Sequence, residues 1–266
     1  MNRSFFKYLL IAVAVCSAAT VSDVQAYASV EAPFSELPHR EVALAKQAFT
    51  TLMRVEPKTT QADIDRQYDN LNEFLAHLRK KQQKYRSEKR FLSYFFYKVH
   101  RKFLKQYRPH TTFQELLEQG SYDCVTGTVL YALLLDALGI SYQVEEFPFH
   151  VYLKVVTTKA DTFMIESTDP QGGWVTSPAE QERRFAFYSQ ATEQEGEEYF
   201  RYDFTIAETI NLSQLVGLSY FNEAVANYNQ RNIQQAVRLL SQAERLYASP
   251  RTASFRALVS SVAQNN

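Results

Sequence analysis

Three residues of this chain have the types and the order that nucleophilic thiol chemistry requires. Cys124 opens the segment Cys-Val-Thr-Gly-Thr-Val-Leu, His150 lies in Pro-Phe-His-Val-Tyr-Leu, and Asp169 lies in Glu-Ser-Thr-Asp-Pro. A cysteine thiol attacks a carbonyl carbon when a histidine accepts its proton, and a carboxylate can fix the tautomer of that histidine. The order Cys, His, Asp therefore predicts acyl transfer through Cys124, with His150 as the general base and Asp169 as the residue that orients it.

A helix that begins at Cys124 would hold the thiol on a rigid element. Apolar residues follow it to about Leu138 and Gly139 ends the pattern, which predicts a buried helix over residues 124–138. Free backbone N–H groups and the helix dipole favour a thiolate at such a position, and they can also stabilise an oxyanion. The negative charge of Asp123 works slightly against the thiolate.

Two strands are predicted to bring His150 and Asp169 together. Residues 141–156 and 162–167 alternate in the manner of strands, and the short polar link between them predicts an antiparallel hairpin. If the link is a loop of even length centred between Lys159 and Ala160, the numbers of facing residues sum to 319, and His150 then faces Asp169. A shift of one residue in this register would send the two side chains to opposite faces.

Each of the three residues also has an ordinary structural interpretation. Cys124 could be an inert core thiol, and His150 could be bonded to a backbone carbonyl within its strand. Asp169 precedes Pro170 and could simply initiate a turn. Taken singly, the structural interpretation is the more common one for His150 and Asp169; taken together, the order and the spacing favour catalysis.

The first 26 residues have the features of a secretory signal peptide. Arg3 and Lys7 precede an apolar run over residues 9–15, and Val24-Gln25-Ala26 offers small residues for cleavage after Ala26. We therefore expect a periplasmic or secreted protein of about 240 residues, with no transmembrane segment once the signal is removed.

Signal cleavage would leave Cys124 as the only cysteine, because the other one, Cys16, lies within the predicted signal. A lone thiol in an oxidising compartment is a liability unless it is buried or used. As an alternative, Cys16 could anchor a lipoprotein, although Val15 is a poor match to the small residue that a lipidation site carries at that position.

Charge is balanced over the 266 residues, with 29 Lys+Arg and 29 Asp+Glu. A general nucleic-acid-binding protein is normally basic, so no nucleic-acid partner is expected. Residues 79–108 differ, because they carry 12 Lys or Arg against one acid, Glu88, with aromatic residues interleaved. This segment predicts either a surface for an anionic component of the cell envelope or, as is more frequent, an amphipathic helix with a solvated basic face. Its charge could also balance the acidic stretch of residues 193–198.

The remaining patterns divide the chain after the signal into three regions. Residues 27–110 are predicted to be helical, residues 111–210 to form the core that carries the site, and residues 211–266 to form a helical hairpin. The hairpin resembles a single tetratricopeptide unit, in which small residues permit close helix packing; here these would be Ala224, Ala236 and Ala243.

Local signals place the helices of the first two regions. Residues 39–55 have helical spacing, Thr59 or Thr60 can cap a second helix, and the basic helix is expected to end at Pro109. Thr112 and Glu115 predict a capping box, and Gly120 a helix end. No cofactor is expected. No metal site is expected either, because four histidines lack metal-ligand spacing: His39, His77, His100 and His110.

Three segments of the chain resemble the transglutaminase-like superfamily, a branch of the papain-like cysteine enzymes. They are residues 122–140, 149–155 and 165–170, and the resemblance covers roughly residues 91–175. It implies an α+β fold in which a cysteine helix packs on a small antiparallel sheet, and it assigns the catalytic triad to Cys124, His150 and Asp169.

Two functions of different classes follow from this resemblance. The first is an exported cysteine hydrolase or acyltransferase that acts on an amide bond of a peptide or protein through a thioester intermediate. The superfamily also contains members without known activity. The second is therefore a non-catalytic binding or scaffolding module of the cell envelope that uses a degenerate cleft or its helical surfaces.

Overall fold

The computed structural model describes residues 43–147, 149–194 and 207–264. The predicted signal peptide and Cys16 lie outside them. Within the described residues the helices are α1 (Lys46–Met53), α2 (Gln61–Gln82), α3 (Glu88–Phe103), α4 (Phe113–Gln119), α5 (Cys124–Ala137), α6 (Pro178–Gln194), α7 (Leu212–Asn229), α8 (Ile233–Leu246) and α9 (Pro250–Gln264). The strands are β1 (Gln106–Tyr107), β2 (Ser121–Tyr122), β3 (Tyr142–Glu146), β4 (Val151–Val156), β5 (Thr162–Ile165), β6 (Trp174–Val175) and β7 (Glu208–Ile210).

Helix boundaries that depend on capping residues agree with the sequence. The side chain of Thr60 accepts a hydrogen bond from the backbone N–H of Asp63 and begins α2, and Thr112 forms the predicted capping box with Glu115 at the start of α4. Gly120 ends α4 with φ +79°, a conformation that costs glycine little.

The basic helix α3 is shorter than predicted, because it ends at Phe103 and not at Pro109. Lys105 and Gln106 donate backbone hydrogen bonds of 2.8 and 3.1 Å to the carbonyl of Gly120. β1 then pairs in parallel with β2, and this pairing pulls the chain out of the helix. The close approach needs the glycine, since a Cβ at Gly120 would lie 2.4 Å from the Lys105 side chain.

Five strands form one antiparallel sheet in the order β6-β5-β4-β3-β7. The predicted single strand over residues 141–156 is divided into β3 and β4, which pair with each other. The predicted hairpin with β5 is confirmed for β4, but its predicted register is wrong by one residue: Leu153 pairs with Ile165, so the numbers of facing residues sum to 318. The reason is the loop. Ala160 adopts φ +63° and donates to the carbonyl of Thr157, while Thr157 N–H bonds to Asp161. A loop of odd length with a left-handed residue replaces the even one.

α5 runs through the centre of the molecule, and each of its residues except Cys124 and Asp136 is buried. One face of the sheet, which includes Leu153, belongs to the same large core, while Tyr152 on the other face packs in a smaller cluster with Tyr188 of α6. The helices α5 and α6 therefore cover opposite faces of the sheet, and the predicted α+β class is confirmed.

The C-terminal region contains the predicted pair α7 and α8, with Ala224, Ala236 and Ala243 buried. It also contains α9, a helix beyond the predicted hairpin. α7 contacts α5 and α1, so the described part of this region shares the central core. All described residues belong to one compact unit. No helix in the described part of the chain has the length and apolar character to cross a membrane.

Candidate active site

Cys124 is the first residue of α5, as predicted, and its side chain is partly exposed. Asp123 caps the helix: its carboxylate accepts hydrogen bonds of 2.8 Å from both the backbone N–H and the hydroxyl of Thr126. The backbone N–H of Thr111 adds a longer bond of 3.4 Å. The thiol is therefore held at a well-capped helix start.

The protonation of Cys124 differs from the expectation based on the helix start. Burial raises the pKa of the thiol above its ordinary value, and the negative charges of Asp123 and Glu166 raise it further. The backbone N–H groups of Cys124 and Val125 act in the opposite direction but are outweighed. The resting protein therefore holds a thiol, and a nucleophilic sulfur requires a base.

His150, just before β4, is bonded to Glu166, just after β5. The distance between Nε2 of His150 and Oε2 of Glu166 is 2.5 Å. The same carboxylate oxygen accepts a hydrogen bond of 2.8 Å from the hydroxyl of Tyr188. The other oxygen, Oε1, accepts hydrogen bonds of 3.1 and 2.7 Å from the backbone N–H and the hydroxyl of Thr168. The ring of Tyr188 also stacks on the imidazole with centroids 4.2 Å apart. The imidazole is thus fixed by both a carboxylate and an aromatic ring.

Glu166 is ionised within this network although it is only 1% exposed. Burial alone would raise its pKa, but the hydrogen bonds and charge from His150 and the bonds from Thr168 outweigh burial, so the pKa is lowered. Burial, followed by the charge of Glu166, raises the pKa of Tyr188, which keeps its hydroxyl as a donor. The arrangement can stabilise an imidazolium that forms during a reaction.

Asp169 does not orient His150, so this part of the predicted triad is wrong in geometry. One oxygen of its carboxylate lies 2.9 Å from the guanidinium of Arg184, and the other accepts 2.8 and 3.3 Å bonds from the backbone N–H groups of Gly172 and Gln171. The odd-length loop moved the register by one residue, and Asp169 has already left the strand. It anchors a turn and binds α6.

Two hydrogen bonds join the neighbours of His150 and Glu166 to the first turns of α5. The hydroxyl of Ser167 donates a hydrogen bond of 3.5 Å to the carbonyl of Cys124. The hydroxyl of Thr128 donates one of 3.3 Å to the carbonyl of Val151. Since Val151 follows His150 and Ser167 follows Glu166, both catalytic candidates are brought to the start of α5. With Nε2 engaged by Glu166, Nδ1 is the other ring nitrogen of His150 that can accept a proton.

Tyr107 of β1 lies near Cys124 and is 52% exposed. Its ring contacts that of Tyr122 edge to face, with centroids 5.9 Å apart. Burial raises the pKa of Tyr107 to about 12, with further contributions from its neighbours Cys124 and Asp123. Its hydroxyl therefore remains a proton donor beside the thiol.

No family model, curated protein or solved structure matches this chain. Within the described residues, no group of three or more His, Cys, Asp or Glu side chains could hold a metal ion.

Sequence reasoning missed Glu166, Thr168 and Tyr188. The signal for Glu166 was present: in a hairpin with an odd loop, position 168 faces His150, and strand alternation places residue 166 on the same face. No comparable signal existed for Tyr188, because α6 was not predicted.

Proposed function

We propose that this chain is an exported cysteine hydrolase or acyltransferase of the transglutaminase-like kind, acting on an amide bond of a peptide or protein. The observation that carries the proposal is the 2.5 Å bond between His150 and the buried carboxylate of Glu166, beside the start of the Cys124 helix. Burying the ionised carboxylate of Glu166 costs several kcal/mol of desolvation, which an apolar side chain of similar volume would avoid. A structural role alone does not account for it.

The proposed reaction uses His150 first as a base and then as an acid. As Sγ of Cys124 attacks the carbonyl carbon, the thiol proton passes to Nδ1 of His150. Glu166 stabilises the resulting imidazolium through Nε2, and the free N–H groups at the start of α5 face the oxyanion. The imidazolium then protonates the leaving amine, and water or a second amine releases the acyl group from the thioester.

The raised pKa of the Cys124 thiol determines when the proton moves. Because the sulfur is protonated in the resting protein, deprotonation has to accompany attack on the carbonyl. The reaction therefore depends on His150 more strongly than a reaction that starts from a preformed thiolate.

A second function, a binding or scaffolding module with a degenerate cleft, is favoured by the same raised pKa. Two carboxylates, those of Asp123 and Glu166, hold negative charge near the sulfur, which opposes the activation that reactive cysteines show. In this case Cys124 would be a structural thiol.

Acetylation of Cys124 by p-nitrophenyl acetate separates the two functions. We expect wild-type protein to form an acetyl thioester at Cys124, detected by mass spectrometry, about 100-fold faster than the His150→Gln variant. His77→Gln is the matched control, since His77 is exposed on α2 and bonded to Tyr94. Equal rates in wild type and His150→Gln would contradict catalysis and leave the binding module.

A further inference from the structure

A row of cations runs along one face of α3 and continues into β1. We call the side chains of Arg90, Lys98, Arg101, Lys105 and Arg108 the basic stripe; all are exposed except Lys98, which is partly exposed. The first three share one face of the helix, because at about 100° per residue they lie within an arc of about 80°. The opposite face of α3 is buried.

The basic stripe has no acidic counterpart in the described part of the chain, where none of its members forms a salt bridge with a carboxylate. Arg101 and Lys105 instead donate to backbone carbonyls, those of Tyr97 and Arg101. Its field reaches neighbouring groups. The pKa of His77 is lowered by burial and then by the charges of Lys98, Lys81 and Lys80. Among the residues that the structure describes, no carboxylate therefore neutralises this positive charge.

The basic stripe reaches the candidate active site at Arg108. The backbone N–H of Arg108 donates a 2.8 Å hydrogen bond to the carbonyl of Tyr122, two residues before Cys124. Along the stripe, next to Lys98, the hydroxyl of Tyr97 donates a 3.1 Å hydrogen bond to the carbonyl of Gln171, in the turn that follows Glu166. A peptide bound along the basic stripe would therefore approach the Cys124 thiol over the surface of the protein.

From these observations we infer that the basic stripe binds an acidic segment of the peptide substrate and directs the adjoining amide bond to Cys124. The inference rests on the proposed function. From Arg90 to Arg101 the stripe spans about 17 Å, the length of about five residues of extended peptide. A narrow stripe that ends at a thiol fits an extended chain better than a flat lipid surface. The balanced charge of the whole protein also argues against a general polyanion binder.

Binding of a fluorescein-labelled hexaglutamate peptide to the full chain tests the stripe itself. We expect saturable binding that weakens as salt rises from about 50 to about 300 mM, and no binding of hexaglutamine. The Arg101→Gln/Lys105→Gln double variant should bind about tenfold more weakly. The matched control is Lys58→Gln/Arg245→Gln, which removes the same two charge types from exposed positions elsewhere and should bind as wild type does.

Alkylation of Cys124 by iodoacetamide tests whether the stripe leads to the site. Bound hexaglutamate should slow alkylation severalfold, with the same midpoint as the anisotropy titration, and this protection should disappear in the double variant. Equal binding by both double variants, or binding without protection, would overturn the inference. So would tighter, stripe-dependent binding of phosphatidylglycerol vesicles or oligothymidylate, since the surface would then serve lipid or nucleic acid.

Failure of this inference is distinguishable from failure of the proposed function. If acetylation of Cys124 depends on His150 but hexaglutamate does not bind, the proposed enzymatic function is supported and the acidic-peptide site is contradicted. If hexaglutamate binds and slows alkylation of Cys124, but acetylation does not depend on His150, the peptide site is supported and the proposed enzymatic function is contradicted.

Discussion

The carboxylate of Glu166 receives four hydrogen bonds from three side chains and one backbone N–H group, and this saturation determines its role. Because every acceptor direction is used, the carboxylate is held in one orientation and holds the imidazole of His150 in turn. Asp169 carries the same functional group three residues later, but its carboxylate forms a salt bridge with Arg184. At the scale of single residues, the site is defined by which carboxylate reaches the histidine.

Replacing each carboxylate by its amide compares the two candidates directly. We expect Glu166→Gln to slow acetylation of Cys124 about 100-fold or more, because the amide cannot stabilise an imidazolium. Asp169→Asn should change the rate less than about twofold, since the asparagine oxygen still accepts from the backbone of the turn. Single-turnover kinetics with p-nitrophenyl acetate measures both. The opposite ranking would restore Asp169 as the orienting residue.

The lowered pKa of Glu166 also has a consequence for stability. A carboxyl whose pKa is lower in the folded than in the unfolded state stabilises the fold above its unfolded pKa of about 4.3, and this stabilisation is lost as pH falls through the folded pKa. Urea unfolding between about pH 5 and pH 2 should therefore show a shallower loss of stability for Glu166→Gln than for wild type.

At the scale of elements, the contact between α5 and the 166–173 turn brings the thiol and the carboxylate together. Gly127 lies one turn after Cys124, and a Cβ there would lie 2.8 and 2.9 Å from Oγ and Cβ of Ser167. Gly173 permits the other half of the turn, where a Cβ would lie 2.1 Å from the carbonyl of Glu166. The close approach of helix and turn depends on these missing side chains.

Gly127→Ala tests this contact. In an ordinary helix interior the change stabilises by about 1 kcal/mol. Here we expect a loss of about 1–3 kcal/mol in the free energy of unfolding, because the new methyl group collides with Ser167, together with slower acetylation of Cys124. Urea unfolding and the acetylation rate are the measurements.

Ser167→Gly provides the background that isolates the collision. With the serine side chain removed, adding Gly127→Ala should be neutral or stabilising, so the double-mutant cycle should show a coupling of about 1 kcal/mol or more. Additive effects would mean that the helix and the turn do not meet at these two residues.

At the scale of the whole molecule, the C-terminal helices are tied both to the N-terminal helix α1 and to the sheet. The side chain of Tyr220 is buried, and its hydroxyl donates a hydrogen bond of 2.6 Å to the carbonyl of Thr51 in α1. Arg251 of α9 lies 3.1 Å from Glu146 of β3, whose other oxygen accepts 2.7 Å from Tyr247. Both charged side chains are buried. The described parts of the three predicted regions therefore depend on one another.

Arg251→Met should uncouple α9 from the sheet. Removing one partner leaves Glu146 buried without its countercharge, for which we expect a loss of about 3–5 kcal/mol. Burial already raises the pKa of Glu146, and loss of Arg251 raises it further. A pKa raised in the folded state gives stability that is lost as pH rises, so urea unfolding should show a larger cost at about pH 8 than at about pH 5.

Two variants control for loss of a surface charge and for the source of the pH dependence. Arg245→Met removes an exposed arginine of α8 and should cost less than about 0.5 kcal/mol. Glu146→Gln in the Arg251→Met background should abolish the extra cost at higher pH. A pH-independent cost in Arg251→Met would contradict the buried carboxylate as its origin.

Local interactions explain what the sequence alone determined. The caps at Thr60 and Thr112, the helix that begins at Cys124 and the end at Gly120 depend on residues within a few positions of one another, and their side-chain types already specify them. The existence of the β4–β5 hairpin follows in the same way from alternation and a short polar link.

The tertiary structure decided which carboxylate meets His150 and whether the thiol is charged. Partners 16 and 22 residues apart complete the His150–Glu166–Tyr188 network, and a single left-handed residue, Ala160, sets the register that selects among them. Hydrogen bonds and desolvation depend on distances between segments and on burial, neither of which one stretch of sequence contains. The sequence therefore specified a cysteine, a histidine and the elements that carry them, while packing selected Glu166 and kept the sulfur protonated.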